Sequence, residues 1–386
     1  MKKYKIAYLS SRNPEDMKSN SGIQYHMLNA LREQGNEVDI YYPSGFFSRF
    51  SHKVLNKIFF FKYKSWAQFK NWPILFRLYG VYFSFRLWFS FIKYDFIFTS
   101  RGAHLIPYLN SELPLIYTSD ITFELMYSHF KGYDELPKIF YEGGQFKEKS
   151  TLLRSSLCIF PSYWAASSAI KDYKVDPDKV VVIPSGANFD INTIPDLQIL
   201  AKQRSDKSTC KILFVGRYWD TKGGDIAFNT VRLLNEQGVK SSLTVVGCLP
   251  PFSNYPDWLT VIERLDKNIP EQNQTLVDCF VKSHFFLLPT RYEAFGLVFA
   301  EACAYGLPCL GTNTGGVPMS VKHNKNGFLF DLNDDAEVYA AKLLELWRDD
   351  VLYSQFSSYA RDHFENKLNW NSWGVALQKE LIRVLN

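Results

Sequence analysis

Two carboxylates, Glu293 and Glu301, stand eight residues apart and flank Phe295 and Gly296. From Phe295 onward, Leu297, Val298, Ala300, Ala304 and Tyr305 fit a buried helix, which Gly306, Leu307 and Pro308 stop. The apolar runs Phe285 to Leu288 and Cys309 to Gly311 read as short buried strands on either side. Helical spacing puts the carboxylates about 12 Å apart, one at the helix entrance and one roughly two turns inside. Two acceptors so placed suit a long ligand with hydroxyls at both ends. The helix N-terminus between them favours an anion, through its unpartnered N–H groups and its dipole. Hydroxyl, phosphate, hydroxyl is the layout of a nucleotide sugar. A glutamate pair on a helix is more often a solvated face, but here it flanks an apolar helix between two apolar strands. Arg217 and Lys222 point the same way. They follow an apolar run, Cys210 to Val215, that ends in Gly216. A guanidinium fork and an ammonium at a strand's carboxyl end can clamp a diphosphate.

The ordered set of Glu293, Phe295, Gly296 and Glu301, then Gly306-Leu307-Pro308, Gly315-Gly316-Val317-Pro318 and Asn326-Gly327-Phe328-Leu329, resembles the donor site of retaining glycosyltransferases of family 4. The resemblance implies an α/β architecture of the GT-B type: two Rossmann-like domains facing a central cleft, with a C-terminal helix crossing back to the first. The expected layout is an acceptor-binding domain over 1–190, a nucleotide-sugar domain over 209–368 and the returning helix over 369–386, with 190–208 as linker. It implies sugar transfer with retention of configuration from a nucleotide-diphosphate sugar, UDP or GDP in the first instance, to a hydroxyl on a glycan or glycolipid acceptor. Lipid-linked and cell-surface polysaccharide precursors belong to that class. Arg217 and Lys222 would neutralise the leaving diphosphate, with Phe295, Gly296 and Leu297 at the helix start. Glu293 would hold donor-sugar hydroxyls, Glu301 the ribose, and Leu265, at the end of a strand over 259–265, would touch the base. The alternative is a sugar-nucleotide epimerase of the same fold. No cofactor beyond the donor is implied. No metal is implied either, since no His, Cys and carboxylate cluster has ligand spacing.

In the first domain the pattern is looser. A strand at Lys5 to Ser10, a polar loop, and a helix opened by Gly22 make a βαβ start of the kind that binds ligands at strand ends. The family usually has two glycines here, and the second offers its amide to the donor's β-phosphate. Gly22 matches that second glycine, and Ser21 replaces the first. Gly22 also fits an ordinary turn before a helix. Many members end the strand at Leu115 to Thr118 in His-Asp. Here Ser119 stands for the histidine and Asp120 matches, either to hold a hydroxyl or as the N-cap of a helix over 121–130. His104 and His129 could serve the acceptor or simply be structural. Asp176 and Asp178 have the D-x-D form of a metal-diphosphate motif but sit in a turn, where capping is expected.

Residues 45–94 are compositionally apart. They hold nine of the 44 Lys and Arg, no Asp or Glu, and 19 of the 64 aromatics. The net charge of the whole chain is only +5, so the remainder is slightly acidic. Arg49, Lys53 and Lys57 share one helical face, and Phe50, Val54, Leu55, Ile58, Phe59 and Phe61 the other. Such a helix can lie on an anionic membrane or cover a core. Between Pro73 and Lys93 the polar face flips, which suggests a break near Ser84 or near-complete burial. No nucleic-acid module accompanies these residues, and nucleic acid is not expected as a partner. The six cysteines have no CxxC pairing and read as reduced thiols. With no long apolar run and no leader-like start, the expectation is a cytoplasmic protein that is peripheral, if anything, on the inner membrane face.

Overall fold

The computed structural model describes residues 2–17, 22–43, 45, 57, 60, 69–130, 133 and 135–385. Two compact units are present, Met1–Ile183 with Gly374–Asn386, and Pro184–Trp373. In the first, the chain runs β1 Lys5–Leu9, α1 Ile23–Glu33, β2 Glu37–Tyr41, α2 Pro73–Trp88, β3 Phe96–Ser100, β4 Leu115–Thr118, α3 Phe123–His129, α4 Lys138–Arg154, β5 Leu157–Phe160, α5 Tyr163–Lys171 and β6 Val180–Val182. The strands form one sheet in the order β2-β1-β3-β4-β5-β6, and every pairing is parallel. All residues of β3, β4 and β5 are buried. A parallel sheet covered on both faces leaves no position for polar alternation.

The second unit contains α6 Leu197–Gln203, β7 Cys210–Val215, α7 Gly224–Glu236, β8 Ser241–Val246, β9 Leu259–Ile262, α8 Pro270–Lys282, β10 Phe285–Leu288, α9 Leu297–Ala304, β11 Cys309–Thr312, α10 Val317–Ser320, β12 Gly327–Phe330, α11 Ala336–Arg348 and α12 Asp350–Lys367. Its six strands pair in the order β12-β11-β10-β7-β8-β9, again all parallel. The order steps from β7 outward in both directions, so β7 and β10 are neighbours where the winding reverses. Ligands bind at such switch points, beyond the carboxyl ends of the strands. The last helix, α13 Trp370–Leu385, starts in the second unit and from Gly374 belongs to the first. There Gln378 accepts a hydrogen bond from Asn36 Nδ2 (3.1 Å) and donates one to Lys2 O (2.6 Å).

Several expectations need correcting. Residues 190–208 are not a linker. They include α6, Leu200 is fully buried, and the buried Arg204 donates to Phe280 O and Val281 O at 2.9 and 3.0 Å. α2 is one unbroken helix. Ser84 Oγ donates to Gly80 O at 2.7 Å, which absorbs the hydroxyl within the helix. Arg86 reaches back to Tyr82 OH (3.0 Å) and lies over the Tyr41 ring, so the face that flips is partly occupied by packing. The basic amphipathic helix expected from Arg49 to Phe61 lies outside the described residues, apart from Lys57 and Phe60, as does Ser21. The sequence reading assigned nothing to α4. Strand β9 stops at Ile262, which leaves Leu265 in the following loop, partly buried against the core.

Candidate functional site

At the carboxyl edge of the second sheet, the loop after β7 folds around Trp219, which is buried against Phe214 and Phe252. Gly223 has φ +71°, and a Cβ there would sit 1.9 Å from Pro289 O. Only glycine allows both the left-handed turn and this approach to the end of β10. The result places Lys222 against the loop after β10, where its Nζ donates to Glu293 Oε2 at 2.6 Å. Both side chains are less than one-fifth exposed. Arg217, two residues past β7, is exposed and has no side-chain partner among the described residues. The two cations therefore differ. One is spent on a carboxylate, and the other is open to an anion.

Helix α9 begins later than its apolar pattern suggests. Gly296, at φ +81°, is its N-cap, so Phe295 and Gly296 precede the helix and Glu293 lies in irregular chain. The helical 12 Å spacing therefore does not describe the two glutamates. Glu301 is on the fifth residue of α9, little more than one turn inside. A Cβ on Gly296 would meet the Phe299 ring at 2.8 Å and Glu293 Cγ at 3.2 Å, so the glycine makes room for the glutamate beneath it. A Cβ on Gly316 would meet Ala294 O at 2.3 Å and Phe295 Cα at 2.8 Å. Gly316, after β11, is thus the wall against which the Glu293 loop rests. The first N–H groups of α9 lack intrahelical acceptors, as at any helix start.

Glu301 is 6% exposed and takes an ion pair from Lys267 Nζ at 2.5 Å. The same ammonium lies 4.3 Å from the centre of the Phe189 ring and 3.5 Å from Asn188 O. Lys267 was not foreseen from the sequence. It sits in the loop after β9, 34 residues from its partner, and no local pattern marks it.

In the first unit, Gly22 is the N-cap of α1 with φ +80°, a conformation that favours glycine there. Asp120 follows β4 and is not the helix cap. Thr122 caps α3, accepting from Leu125 N. Asp120 instead faces Arg101 Nε at 3.4 Å. Ser119 Oγ donates to Ile121 O at 2.8 Å and serves the turn. His104 is buried edge-on to Tyr79, and His129 lies against Trp164 with Nδ1 2.8 Å from Ser128 Oγ. Burial closes the His104 ring to a substrate, while the His129 ring is exposed. Asp176 accepts from Asp178 N at 3.0 Å, the capping role expected of it. The sequence reading also missed Lys147 and Glu148 on α4. Glu148 is 4% exposed and accepts from Tyr117 OH at 3.0 Å. Burial pushes its carboxyl up to about 7 and the Lys147 ammonium down to about 8.

Two units, each with a six-stranded parallel sheet and with cations and carboxylates at the strand ends of the second, define a glycosyltransferase architecture of the GT-B type. The sucrose-phosphate synthase of Thermosynechococcus elongatus has this fold, with a TM-score of 0.71, 15% identity and 99% of both chains covered. So does Anabaena HepE, solved in complex with UDP-glucose, with a TM-score of 0.61, 15% identity, and 98% of this chain and 100% of that one covered. The model "Glycosyltransferase Family 4" matches residues 24–190, and "Glycosyl transferases group 1" matches residues 197–363. The chain belongs to the family 4 glycosyltransferases. A similar protein is the D-inositol 3-phosphate glycosyltransferase of Corynebacterium efficiens, 24% identical over 278 residues, which are 69% of this chain and 64% of the relative. The chain thus spans less than two thirds of that relative's length.

Proposed function

We propose that the protein is a retaining glycosyltransferase that moves a sugar from a nucleotide-diphosphate sugar, with UDP the first candidate, to a hydroxyl acceptor. The observation that carries this reading is the Lys222–Glu293 pair beside the open Arg217 and the glycine-led start of α9. The bond from the anomeric carbon to the diphosphate oxygen breaks. The acceptor oxygen bonds to that carbon on the same face, and its proton passes to the departing phosphate. Arg217, Lys222 and the amides at Phe295, Gly296 and Leu297 stabilise the charge that develops on the diphosphate. Glu293 holds sugar hydroxyls and orients Lys222. Glu301 takes the ribose, sharing its carboxylate with Lys267, and Leu265 lies near the base. On the first unit we assign the Gly22 amide to a phosphate and Asp120 to a hydroxyl. HepE solved with UDP-glucose supports UDP as the nucleotide of the donor.

Membrane contact belongs to the same reading. Among the described residues no helix is long and apolar enough to cross a membrane. However, Phe85, Trp88 and Phe91, at and just beyond the end of α2, are 59, 70 and 87% exposed beside Lys93. That end suits an interfacial aromatic anchor at the cytoplasmic membrane face. The test of function is a thermal-shift and hydrolysis screen with UDP-, GDP-, ADP- and dTDP-sugars, wild type beside Glu293→Ala. Stabilisation or slow hydrolysis by one donor, lost in the variant, is expected. An epimerised sugar, or indifference to every donor, would sink the assignment.

A further inference from the structure

The geometry points to a phosphate-binding site formed by Arg12, Lys70, Arg101 and Lys147 at the carboxyl edge of the first sheet, made for an acceptor that carries a phosphate group. Calling the ligand an acceptor rests on the transferase reading; the site itself does not. β1 and β3 are paired, with Leu9 opposite Thr99. Arg12, three residues past β1, and Arg101, the first residue past β3, therefore leave the sheet from neighbouring strands. Arg101 is held at φ +55°, an unusual conformation for a side-chain-bearing residue. Lys70 stands on the short turn Phe69–Asn71 that leads into α2. Lys147 is tied to that turn, since its Nζ donates to Asn71 Oδ1 at 2.7 Å. A Cβ on Gly143 would lie 2.1 Å from Asn71 O, so α4 is pressed against the turn where only glycine fits.

The four positive charges are gathered with a single carboxylate, Asp120, ion-paired among them. Desolvation first, and then the charges of Lys147, Arg12 and Arg101, pull the Lys70 ammonium down to about 8. Among the described residues the only ion pair any of the four makes is Arg101 with Asp120. Glu148, which adjoins Lys147, is turned inward to Tyr117 OH. Gathering like charges costs free energy that a bound anion recovers. A single carboxylate needs only one guanidinium fork. Four cations from four separate segments match the several oxygens and double charge of a phosphomonoester. Asp120 borders the cluster, and its buried Oδ1 faces Arg101 Nε at 3.4 Å. The ligand class is therefore a phosphomonoester.

The test uses the full chain at low salt, with glycerol 3-phosphate and inorganic phosphate as soluble probes. Phosphatidylcholine vesicles with and without phosphatidic acid are the lipid probe. Wild type is compared with Lys70→Met and Arg12→Gln, and UDP-induced thermal stabilisation serves as an independent readout. Wild type should bind glycerol 3-phosphate, and each variant should weaken it about tenfold, the scale of one charge-assisted contact. The UDP response should stay intact. Binding confined to the soluble probes identifies a soluble phosphate; retention only on phosphatidic acid, lost in the variants, identifies a lipid headgroup. Equal phosphate binding by wild type and variants overturns the site, as does no phosphate binding by a protein that UDP stabilises. Phosphate binding without any UDP response keeps the site and overturns the transferase reading.

Discussion

Replacing Gly316 by alanine tests how the candidate donor site is held. Gly316 has φ −93° and ψ 0°, which any residue can adopt, so alanine meets no backbone strain. The conflict is steric. The new Cβ would stand 2.3 Å from Ala294 O and 2.8 Å from Phe295 Cα. Both neighbours are backbone atoms, so no rotamer change relieves the contact, and the Glu293 loop must retreat by about 1 Å to reach an ordinary separation. Overpacking of this kind costs about 1–3 kcal/mol. For a unit of this size a loss of about 2 kcal/mol lowers the melting temperature by roughly 4–8 °C. A shift of about 1 Å in a positioning group costs turnover on the order of a hundredfold. The assay is thermal unfolding together with donor turnover per folded molecule. Gly238→Ala is the control, because φ there is +82° but nothing lies within 4 Å of the added Cβ. It should cost about 1 kcal/mol in strain and leave turnover alone. Equal turnover in the two variants would refute the claim that Gly316 sets the Glu293 loop, and unchanged melting of Gly316→Ala would refute the close approach itself.

Arg217→Gln should change stability by less than about 0.5 kcal/mol, because the side chain has no partner to lose, while turnover falls on the order of a hundredfold or more; chemical denaturation and steady-state rates check both halves. Lys267→Met leaves the Glu301 carboxylate unpaired at 6% exposure and should cost about 2–4 kcal/mol, most of it restored by adding Glu301→Gln, as a double-mutant cycle in urea will show. Glu148 binds its proton up to about pH 7 when folded against 4.5 ordinarily, so the native state holds a proton the unfolded chain has lost, and stability falls as pH rises through that window. Glu148→Gln, which keeps an acceptor for Tyr117 and leaves Lys147 and Asp120 in place, should abolish a decline on the order of 2–3 kcal/mol between about pH 5 and about pH 8, read from urea midpoints.

The donor-side motif was legible because its residue types are fixed by chemistry and its flanking strands are uninterrupted apolar runs. Its local geometry was not. Gly296 in the left-handed region postpones the helix, and periodicity does not report a sign of φ. Helix α4 escaped notice for a related reason. Gly143 and Gly144 serve close contacts with Asn71 and the Phe123 ring, and they weaken both helix propensity and the apolar stripe. With α4 went Lys147 and Glu148, which are functional candidates only once the fold buries them. The pairs Lys267–Glu301 and Lys222–Glu293 join segments 34 and 71 residues apart in sequence, and the sequence names the residues without naming the partnership.

The last helix carries a consequence for synthesis. The first unit ends at Ile183, yet it also takes in Gly374–Asn386, and the buried Asn36 amide hydrogen-bonds to Gln378. A ribosome adding roughly 5–20 residues per second needs on the order of 10–40 s to make the stretch between them. During that interval the N-terminal sheet is complete in strands but lacks the helix that covers Asn36 and receives Lys2, while the second unit is still being made. The unit that begins first is the one finished last, and a nascent chain stalled before Gly374 exposes the α1 surface that α13 covers.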